Sequence, residues 1–315
     1  MSDAYVRESL RGVAAGLLTP FDEDGEIDHD GLAANARALA DRGLETFLAC
    51  ANISEYHSLS WSERRAVTAT SVAALPDEAC VLAGVGGPTE EAAEAVADFA
   101  AVGVDAIMVM PPDHTYVHER GLLEYYRKLG EASALPLAPY IRGFDPSVDF
   151  LADLTRLDDV VGVKYAIEDV PKFAAAVSRG SDDVVWVDGM AEPYAPSLWV
   201  EGAEGFTAGV TNFAPEIGLA LFDALDRGDY ERAREIRDRC QPIMDMRGET
   251  GANNDLPGAI SVPVVKEGLR LAGFTAGTVR EPIVELTDEE RARVADYYAE
   301  CVEPFEPAEV TACSD

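Results

Sequence analysis

The feature that most constrains the fold is a regular alternation of short apolar runs with longer segments of helical periodicity. Eight runs rich in β-branched residues are each followed by a segment in which apolar residues recur every three to four positions. This pattern is typical of βα units, in which helices connect parallel strands. Eight such units in about 225 residues suit a closed (β/α)₈ barrel better than an open doubly wound sheet, which is the alternative.

The pattern predicts strands at residues 13–18, 46–50, 81–85, 106–110, 137–141, 160–164, 184–187 and 205–208. It predicts connecting helices at 30–42, 62–74, 90–102, 119–132, 148–156, 170–178, 191–201 and 214–226. After Gly228 the alternation stops, and three more helices are predicted at 230–246, 259–272 and 288–301. We therefore expect a barrel over residues 1–228, a C-terminal helical extension over 229–303 and a flexible tail over 304–315.

The charge of the chain limits its partners. Its 315 residues include 58 acidic and 25 basic side chains, which gives a formal net charge of −33 at pH 7. Such a chain repels phosphate backbones and anionic membranes, so we expect neither nucleic acid nor membrane as a partner. Lysine occurs only at positions 128, 164, 172 and 266. An acidic, lysine-poor surface is typical of proteins from salt-loving organisms, and an unusually acidic mesophilic protein is the alternative.

Cysteine and histidine usage argues against a metal site or a disulfide framework. The five cysteines are odd in number and include no C-x-x-C spacing, and the four histidines have no neighbouring ligands at metal-binding spacing. No apolar run approaches the ~20 residues of a membrane span, and residues 1–11 are polar. We therefore expect a cytoplasmic protein that uses neither a metal nor another cofactor.

The strongest catalytic candidate is Lys164. Reactive groups of such barrels lie at the carboxyl ends of the strands, and this lysine ends the apolar run 160–164. Burial there lowers the pKa of an amine, and the neutral amine is the nucleophile that Schiff-base formation requires. The alternative is that Lys164 caps the barrel and pairs with a carboxylate. Lys266 also has apolar neighbours, but its surroundings favour a packed helix.

Other strand ends supply possible partners. Tyr140 lies at the end of the fifth predicted strand, from which its hydroxyl could approach Lys164 and move a proton. Thr19, Gly189 and Thr207 each lie at a strand end and are candidate substrate contacts.

These residues belong to a wider resemblance. The chain contains five further motifs that carry this resemblance. They are GLLTPF at 16–21, Ser54-Glu55, the Leu-Pro before Tyr140, Gly-Val-Lys at 162–164 and the late Pro-x-x-Lys at 263–266. In these motifs the chain resembles the dihydrodipicolinate synthase/N-acetylneuraminate lyase family of class I aldolases. The resemblance implies a Schiff base of Lys164 with pyruvate or a similar keto acid, Tyr140 as acid/base, and a homotetramer.

Two departures from the family pattern bear on the substrate. The family usually has Gly-Thr-Thr-Gly-Glu after strand two, where this chain reads ANISE at 51–55. Ile53 cannot donate a hydrogen bond, so Asn52, Ser54 and backbone amides would hold the keto acid's carboxylate. Asp145 stands where dihydrodipicolinate synthases have an arginine for their second substrate, and a carboxylate there would repel it.

Three features resemble motifs of the family branch that dehydrates keto-deoxy-glucarate. They are Arg142 and the segments 55–59 and 211–215. Arg142 could clamp a distal carboxylate or phosphate. We therefore predict a Schiff-base lyase acting on a 2-keto acid, foremost by aldol cleavage or condensation of a 2-keto-3-deoxy sugar acid. The alternatives are a sugar-acid dehydratase, a 4-hydroxy-tetrahydrodipicolinate synthase and a non-catalytic keto-acid-binding barrel.

Overall fold

A computed structural model describes residues 2–111, 113–207, 209–303 and 305. Its strands are all parallel and form a closed barrel in the sequential order β1 to β8, which confirms the predicted fold. Every βα unit is present. The strands are β1 Val13–Gly16, β2 Thr46–Ala49, β3 Cys80–Val85, β4 Ala106–Val109, β5 Leu137–Ile141, β6 Gly162–Tyr165, β7 Val185–Asp188 and β8 Gly205–Thr207.

Helices surround the barrel, and three of them follow it. The helices that precede or connect the strands are α1 Asp3–Leu10, α2 His29–Ala40, α3 Trp61–Ala74, α4 Thr89–Val102, α5 Glu119–Glu131, α6 Val148–Leu154, α7 Val170–Arg179 and α8 Ala195–Val200. The remaining ones are α9 Pro215–Asp226, α10 Tyr230–Arg247, α11 Ser261–Leu271 and α12 Asp288–Cys301. Helices α10 to α12 form the predicted C-terminal helical extension. Among the described residues, no helix combines the length and apolar character needed to cross a membrane.

The first helix, α1, was not predicted, because its eight residues are half polar and only two of them are buried. The Ser2 side chain accepts a hydrogen bond from the Tyr5 N–H and caps its start. Val6 and Leu10 are buried. The Leu10 carbonyl oxygen would lie 2.1 Å from a Cβ on Gly205. The helix therefore lies against the amino-terminal end of β8, at the face opposite the carboxyl ends of the strands.

Several predicted boundaries are displaced. Strand β6 begins at Gly162 and continues through Tyr165, so Lys164 is its penultimate residue. Helix α8 begins at Ala195 instead of residue 191, because Ala191 has φ = 66°, outside the right-handed helical region. The last residue of the predicted eighth strand, Ala208, lies outside the described residues.

The predicted flexible tail, residues 304–315, also lies outside the described residues except for Phe305. That ring is buried. The guanidinium carbons of Arg232 and Arg239 each lie 5.9 Å from its centroid. The apolar ring thus covers α10, and the polar sequence around it gave no sign of this contact.

Candidate active site

The carboxyl ends of the strands surround a cavity of about 540 Å³. Ends of strands β1, β2 and β5 to β8 contribute to its wall, and α10 and the start of α11 cover one side. Seven of the nine residues predicted for the site line this cavity, namely Asn52, Ile53, Tyr140, Arg142, Lys164, Gly189 and Thr207. The cavity is therefore the candidate active site.

Lys164 and Tyr140 are register partners on the adjacent strands β6 and β5. The Lys164 Nζ lies 4.2 Å from the centroid of the Tyr140 ring, and Tyr140 is buried. Desolvation lowers the pKa of Lys164 to about 7, helped by the positive charges of Arg142 and Arg247 and opposed by Asp188. A substantial fraction of the amine is therefore neutral near pH 7, as a nucleophile requires.

Gly189 allows β7 to approach Lys164 closely. Its N–H donates to the Tyr165 carbonyl oxygen at 2.7 Å. A Cβ at this position would lie 3.0 Å from Lys164 Cγ and 2.9 Å from the Tyr165 oxygen. Any side chain here would displace the lysine, so the absence of one keeps Lys164 in place.

The segment after β2 forms one wall of the cavity. It includes a 3₁₀ turn, Asn52–Ser54, and the Ile53 Cγ2 packs over Gly16, at 2.3 Å from the position a Cβ would take there. Thr19 and Ser54 do not line the cavity. The Thr19 hydroxyl donates to the Ser54 carbonyl oxygen at 2.8 Å, and the Ser54 hydroxyl accepts from the Ala51 N–H at 3.0 Å. These two predicted substrate contacts instead support the segment from behind.

Thr207 ends β8 beside a buried carboxyl group on β7. Its hydroxyl donates to the backbone oxygen of Asp188 at 3.3 Å. Desolvation raises the pKa of the Asp188 carboxyl well above its usual value, and the Met190 N–H that bonds Oδ1 at 2.6 Å acts in the opposite direction. Thr207 thus joins two strand ends while also contributing to the cavity wall.

Two arginines bring positive charge to the cavity. Arg142 follows β5 and is exposed, while Arg247 ends α10 and is partly buried. Arg247 donates to the Ser261 hydroxyl at 3.3 Å and approaches the Met244 sulfur at 3.4 Å. Within the described part of the chain, neither guanidinium forms an ion pair with a carboxylate. Both are therefore available to an anionic ligand.

Glu192 lies near Arg247, and neither residue was predicted from the sequence as part of the site. Its Oε1 accepts hydrogen bonds from the Gly209 N–H at 3.0 Å, the Thr211 N–H at 2.9 Å and the Thr211 hydroxyl at 2.7 Å. Desolvation lowers the pKa of Arg247, and the Glu192 charge opposes that shift. Glu192 therefore joins the loops after β7 and β8 and partly balances the arginine charge.

Asp145 and the other lysines lie away from the cavity. Asp145 is exposed and forms an ion pair with Lys172, whose charge compensates the carboxylate that we expected to repel a second substrate. Lys172 is itself partly buried instead of fully exposed. Lys266 is buried in α11 and ion-paired, so Lys164 is the lysine that lines the cavity. Among the described residues, no three His, Cys, Asp or Glu side chains form a group that could hold a metal ion.

Comparison with known proteins identifies the family. The model of the dihydrodipicolinate synthetase family matches residues 9–300. A DapA-like lyase of Halobacterium salinarum, itself uncharacterized, is 33% identical over 288 residues, covering 90% of this chain and 91% of that protein. A probable 5-dehydro-4-deoxyglucarate dehydratase of Streptomyces griseus is 30% identical over 301 residues, covering 91% of each.

The solved structures agree. Dihydrodipicolinate synthase from Oceanobacillus iheyensis superposes with a TM-score of 0.89 at 28% identity, covering 95% of this chain and 98% of that one. The chain belongs to the dihydrodipicolinate synthetase family. Membership confirms the resemblance inferred from its motifs and assigns the chain to the lyases and dehydratases of this family.

Proposed function

We propose that the protein is a Schiff-base lyase that acts on a 2-keto acid, most directly by aldol cleavage or condensation of a 2-keto-3-deoxy sugar acid. The observation that carries this proposal is Lys164, whose pKa is lowered to about 7 inside a cavity that it shares with Tyr140. About half of such amines are neutral at pH 7. An amine with this pKa is a competent nucleophile toward a ketone.

The first step joins Lys164 Nζ to C2 of the keto acid. The nitrogen forms a bond to the carbonyl carbon, the carbonyl oxygen takes up protons and leaves as water, and a protonated imine remains. This cation withdraws electrons from C3 and stabilises negative charge that develops there. Lys164 thereby performs the role of an electron sink without a separate cofactor.

Tyr140 is the group proposed to move the substrate proton. After the Tyr140 hydroxyl has given its own proton to the departing water of the first step, its oxygen removes the proton of the C4 hydroxyl. The C3–C4 bond then breaks, an aldehyde leaves and the enamine of pyruvate remains on Lys164. Protonation at C3 and addition of water then release pyruvate and restore the amine. The register pairing of Tyr140 with Lys164 puts both groups at the same level of the barrel, as this transfer requires.

The two ends of the substrate have separate partners in this scheme. Asn52 and Ile53 start the 3₁₀ turn at the cavity, and their backbone N–H groups have no acceptor among the described residues. We assign the C1 carboxylate to these amides. Arg142 and Arg247 are then the partners of a distal carboxylate or phosphate.

A dehydratase is the second candidate. Removal of a C3 proton from the imine followed by loss of a hydroxyl as water uses the same lysine and tyrosine. Arg142 favours a diacid substrate, and a relative at 30% identity is named a probable 5-dehydro-4-deoxyglucarate dehydratase. The remaining alternatives are a 4-hydroxy-tetrahydrodipicolinate synthase and a non-catalytic keto-acid-binding barrel.

A substrate panel tests the proposal. The purified protein is incubated in high salt with 2-keto-3-deoxy acids with and without a distal carboxylate or phosphate, and released pyruvate and dehydrated product are measured separately. We expect pyruvate release that is lost in Lys164→Ala. Water loss without pyruvate release identifies the dehydratase. Product formation only from pyruvate and aspartate semialdehyde identifies the synthase, and a folded protein that turns over none of them is a binding protein.

We further propose that the protein works as a homotetramer, as the family resemblance implies. Tyr116 and Val117 are adjacent apolar side chains with 84% and 47% exposure, and a subunit contact at this position would remove them from water. Light scattering coupled to size exclusion in molar potassium chloride measures the mass directly. Four times the 33.8 kDa chain mass supports this assembly, and a monomeric mass contradicts it.

A further inference from the structure

A buried ion pair connects the C-terminal extension to the cavity wall. Glu55 follows the 3₁₀ turn Asn52–Ser54, and Lys266 lies in α11. Their side chains are 0% and 3% exposed, and Lys266 Nζ lies 2.6 Å from Glu55 Oε1. The pair does not line the cavity, so the proposed chemistry leaves it without a role.

The pair holds a segment whose backbone is strained at both ends. Cys50 and Glu55 have φ values of 56° and 61°, in the left-handed region that side chains other than glycine seldom occupy. A residue in this region is strained and persists only when its surroundings determine its conformation. The four residues between them, 51–54, include the two amides to which we assign the substrate's carboxylate. Interactions outside this segment must therefore keep it in place.

Glu55 is where those interactions converge. Besides its bond to Lys266, it accepts a hydrogen bond from the Arg280 N–H at 3.0 Å through Oε2. Lys266 also donates to the Thr278 carbonyl oxygen, and its Nζ lies 4.8 Å from the centroid of the Phe21 ring. Residues 278–280 and α11 thus bind the carboxylate, and the loop after β1 packs against Lys266 through Phe21.

Charge alone does not explain why this pair is there. Taking two ions out of water is costly, and replacing a buried pair by packed apolar groups is often neutral or stabilising. Such a pair restricts the two side chains to one relative position, because each buried charge must contact its partner. That property suits a segment whose amides have to lie at a fixed distance from Lys164.

We propose that Glu55 and Lys266 are positioning residues, through which the C-terminal extension sets the affinity of the cavity for the substrate carboxylate. This inference rests on the proposed Schiff-base function for its substrate readout. It gives the C-terminal extension a role in substrate binding in addition to its packing on the barrel.

The test compares the double variant Glu55→Gln/Lys266→Met with the wild type. Because both charges are removed together, we expect the melting temperature to stay close to that of the wild type. We measure the pyruvate concentration that gives half-maximal adduct formation under borohydride. If the 51–54 segment is displaced in the double variant, this half-maximal pyruvate concentration should rise by about tenfold to a hundredfold. A half-maximal concentration equal to that of the wild type would overturn the inference.

A second readout does not depend on Schiff-base chemistry. The amide protons of Ser54, Glu55 and Tyr56 are bonded to the carbonyl oxygens of Ala51 and Asn52. We expect these amides to exchange with deuterium faster in the double variant, with no change in the strands. Unchanged amide exchange overturns the inference, whether or not pyruvate forms an adduct. Failure of pyruvate to form an adduct with any variant is a separate outcome and refutes the proposed function.

Another ion pair of the extension provides the control. Glu249 pairs with Arg293 of α12 at 2.6 Å, and neither residue lines the cavity. The variant Glu249→Gln/Arg293→Met should alter neither readout at the cavity. If the Glu55/Lys266 double variant does not fold, Lys266→Arg, which keeps the charge, and Glu55→Gln alone are compared by deuterium exchange. Faster exchange only in Glu55→Gln supports positioning, and equal exchange in both contradicts it.

Discussion

The Lys164 nitrogen lies over the face of the Tyr140 ring, 4.2 Å from its centroid, and the two residues are paired in register across β5 and β6. The tyrosine therefore forms one wall of the space in which the lysine meets its substrate. An aromatic face attracts an ammonium ion, so the ring also interacts with the imine cation that we propose.

Tyr140→Phe separates these two contributions. The variant keeps the ring and loses the hydroxyl, so adduct formation with pyruvate should persist while aldol turnover falls by about 10²–10⁴-fold. Steady-state pyruvate release measures turnover, and intact-protein mass after reduction measures the adduct. Equal turnover in variant and wild type would exclude Tyr140 as the proton carrier.

The pH dependence follows from Lys164. The neutral amine is the reactive form, and its pKa is lowered to about 7, so the rate of imine formation should rise between pH 6 and pH 8 and then level off. Arg142 helps to lower this pKa. Replacing it by Met should move the midpoint to higher pH. A midpoint that remained near 10 in the wild type would contradict the desolvated amine.

The two arginines predict substrate selectivity. Arg142→Met and Arg247→Met should each weaken turnover of a keto acid with a distal carboxylate or phosphate by about tenfold or more, the equivalent of one charged hydrogen bond. Pyruvate has no distal anion, so its adduct formation, measured above the pH midpoint of each variant, should change little. Equal losses for both kinds of acid would show that the arginines act on the lysine alone.

Gly189→Ala tests the close approach of β7. The added Cβ would lie 3.0 Å from Lys164 Cγ, so we expect adduct formation to slow by about tenfold or more. Gly121→Ala is the matched control, because a Cβ on Gly121 in α5 meets nothing within 4 Å. Wild-type kinetics in Gly189→Ala would show that Lys164 tolerates displacement.

The net charge of −33 predicts dependence on salt. The Debye length falls from about 30 Å at 0.01 M to about 3 Å at 1 M, which removes most repulsion between surface carboxylates. The melting temperature should therefore rise steeply with potassium chloride, while an uncharged osmolyte at matched osmolarity should raise it less. A flat response to salt would contradict adaptation to a saline interior.

Periodicity was sufficient to predict the barrel, and strand position was sufficient to predict that Lys164 and Tyr140 lie together at the carboxyl ends of the strands. Sequence neighbours could not reveal that Arg247 lines the cavity or that Lys266 pairs with Glu55. Both lie in the helical extension, and they reach the cavity or its wall only through folding that brings distant segments together. Thr19 and Ser54 show the opposite limit: their positions were informative, but their hydroxyls bond within the protein instead of lining the cavity.

Mass mapping of a reduced adduct tests the central claim most directly. The protein is incubated with pyruvate and sodium borohydride in high salt, digested and sequenced by tandem mass spectrometry, with Lys164→Arg treated in parallel. We predict one stable 1-carboxyethyl group, the reduced imine of pyruvate, on Lys164, and none in the variant. An unmodified Lys164, or an adduct on another residue that persists in Lys164→Arg, would contradict it.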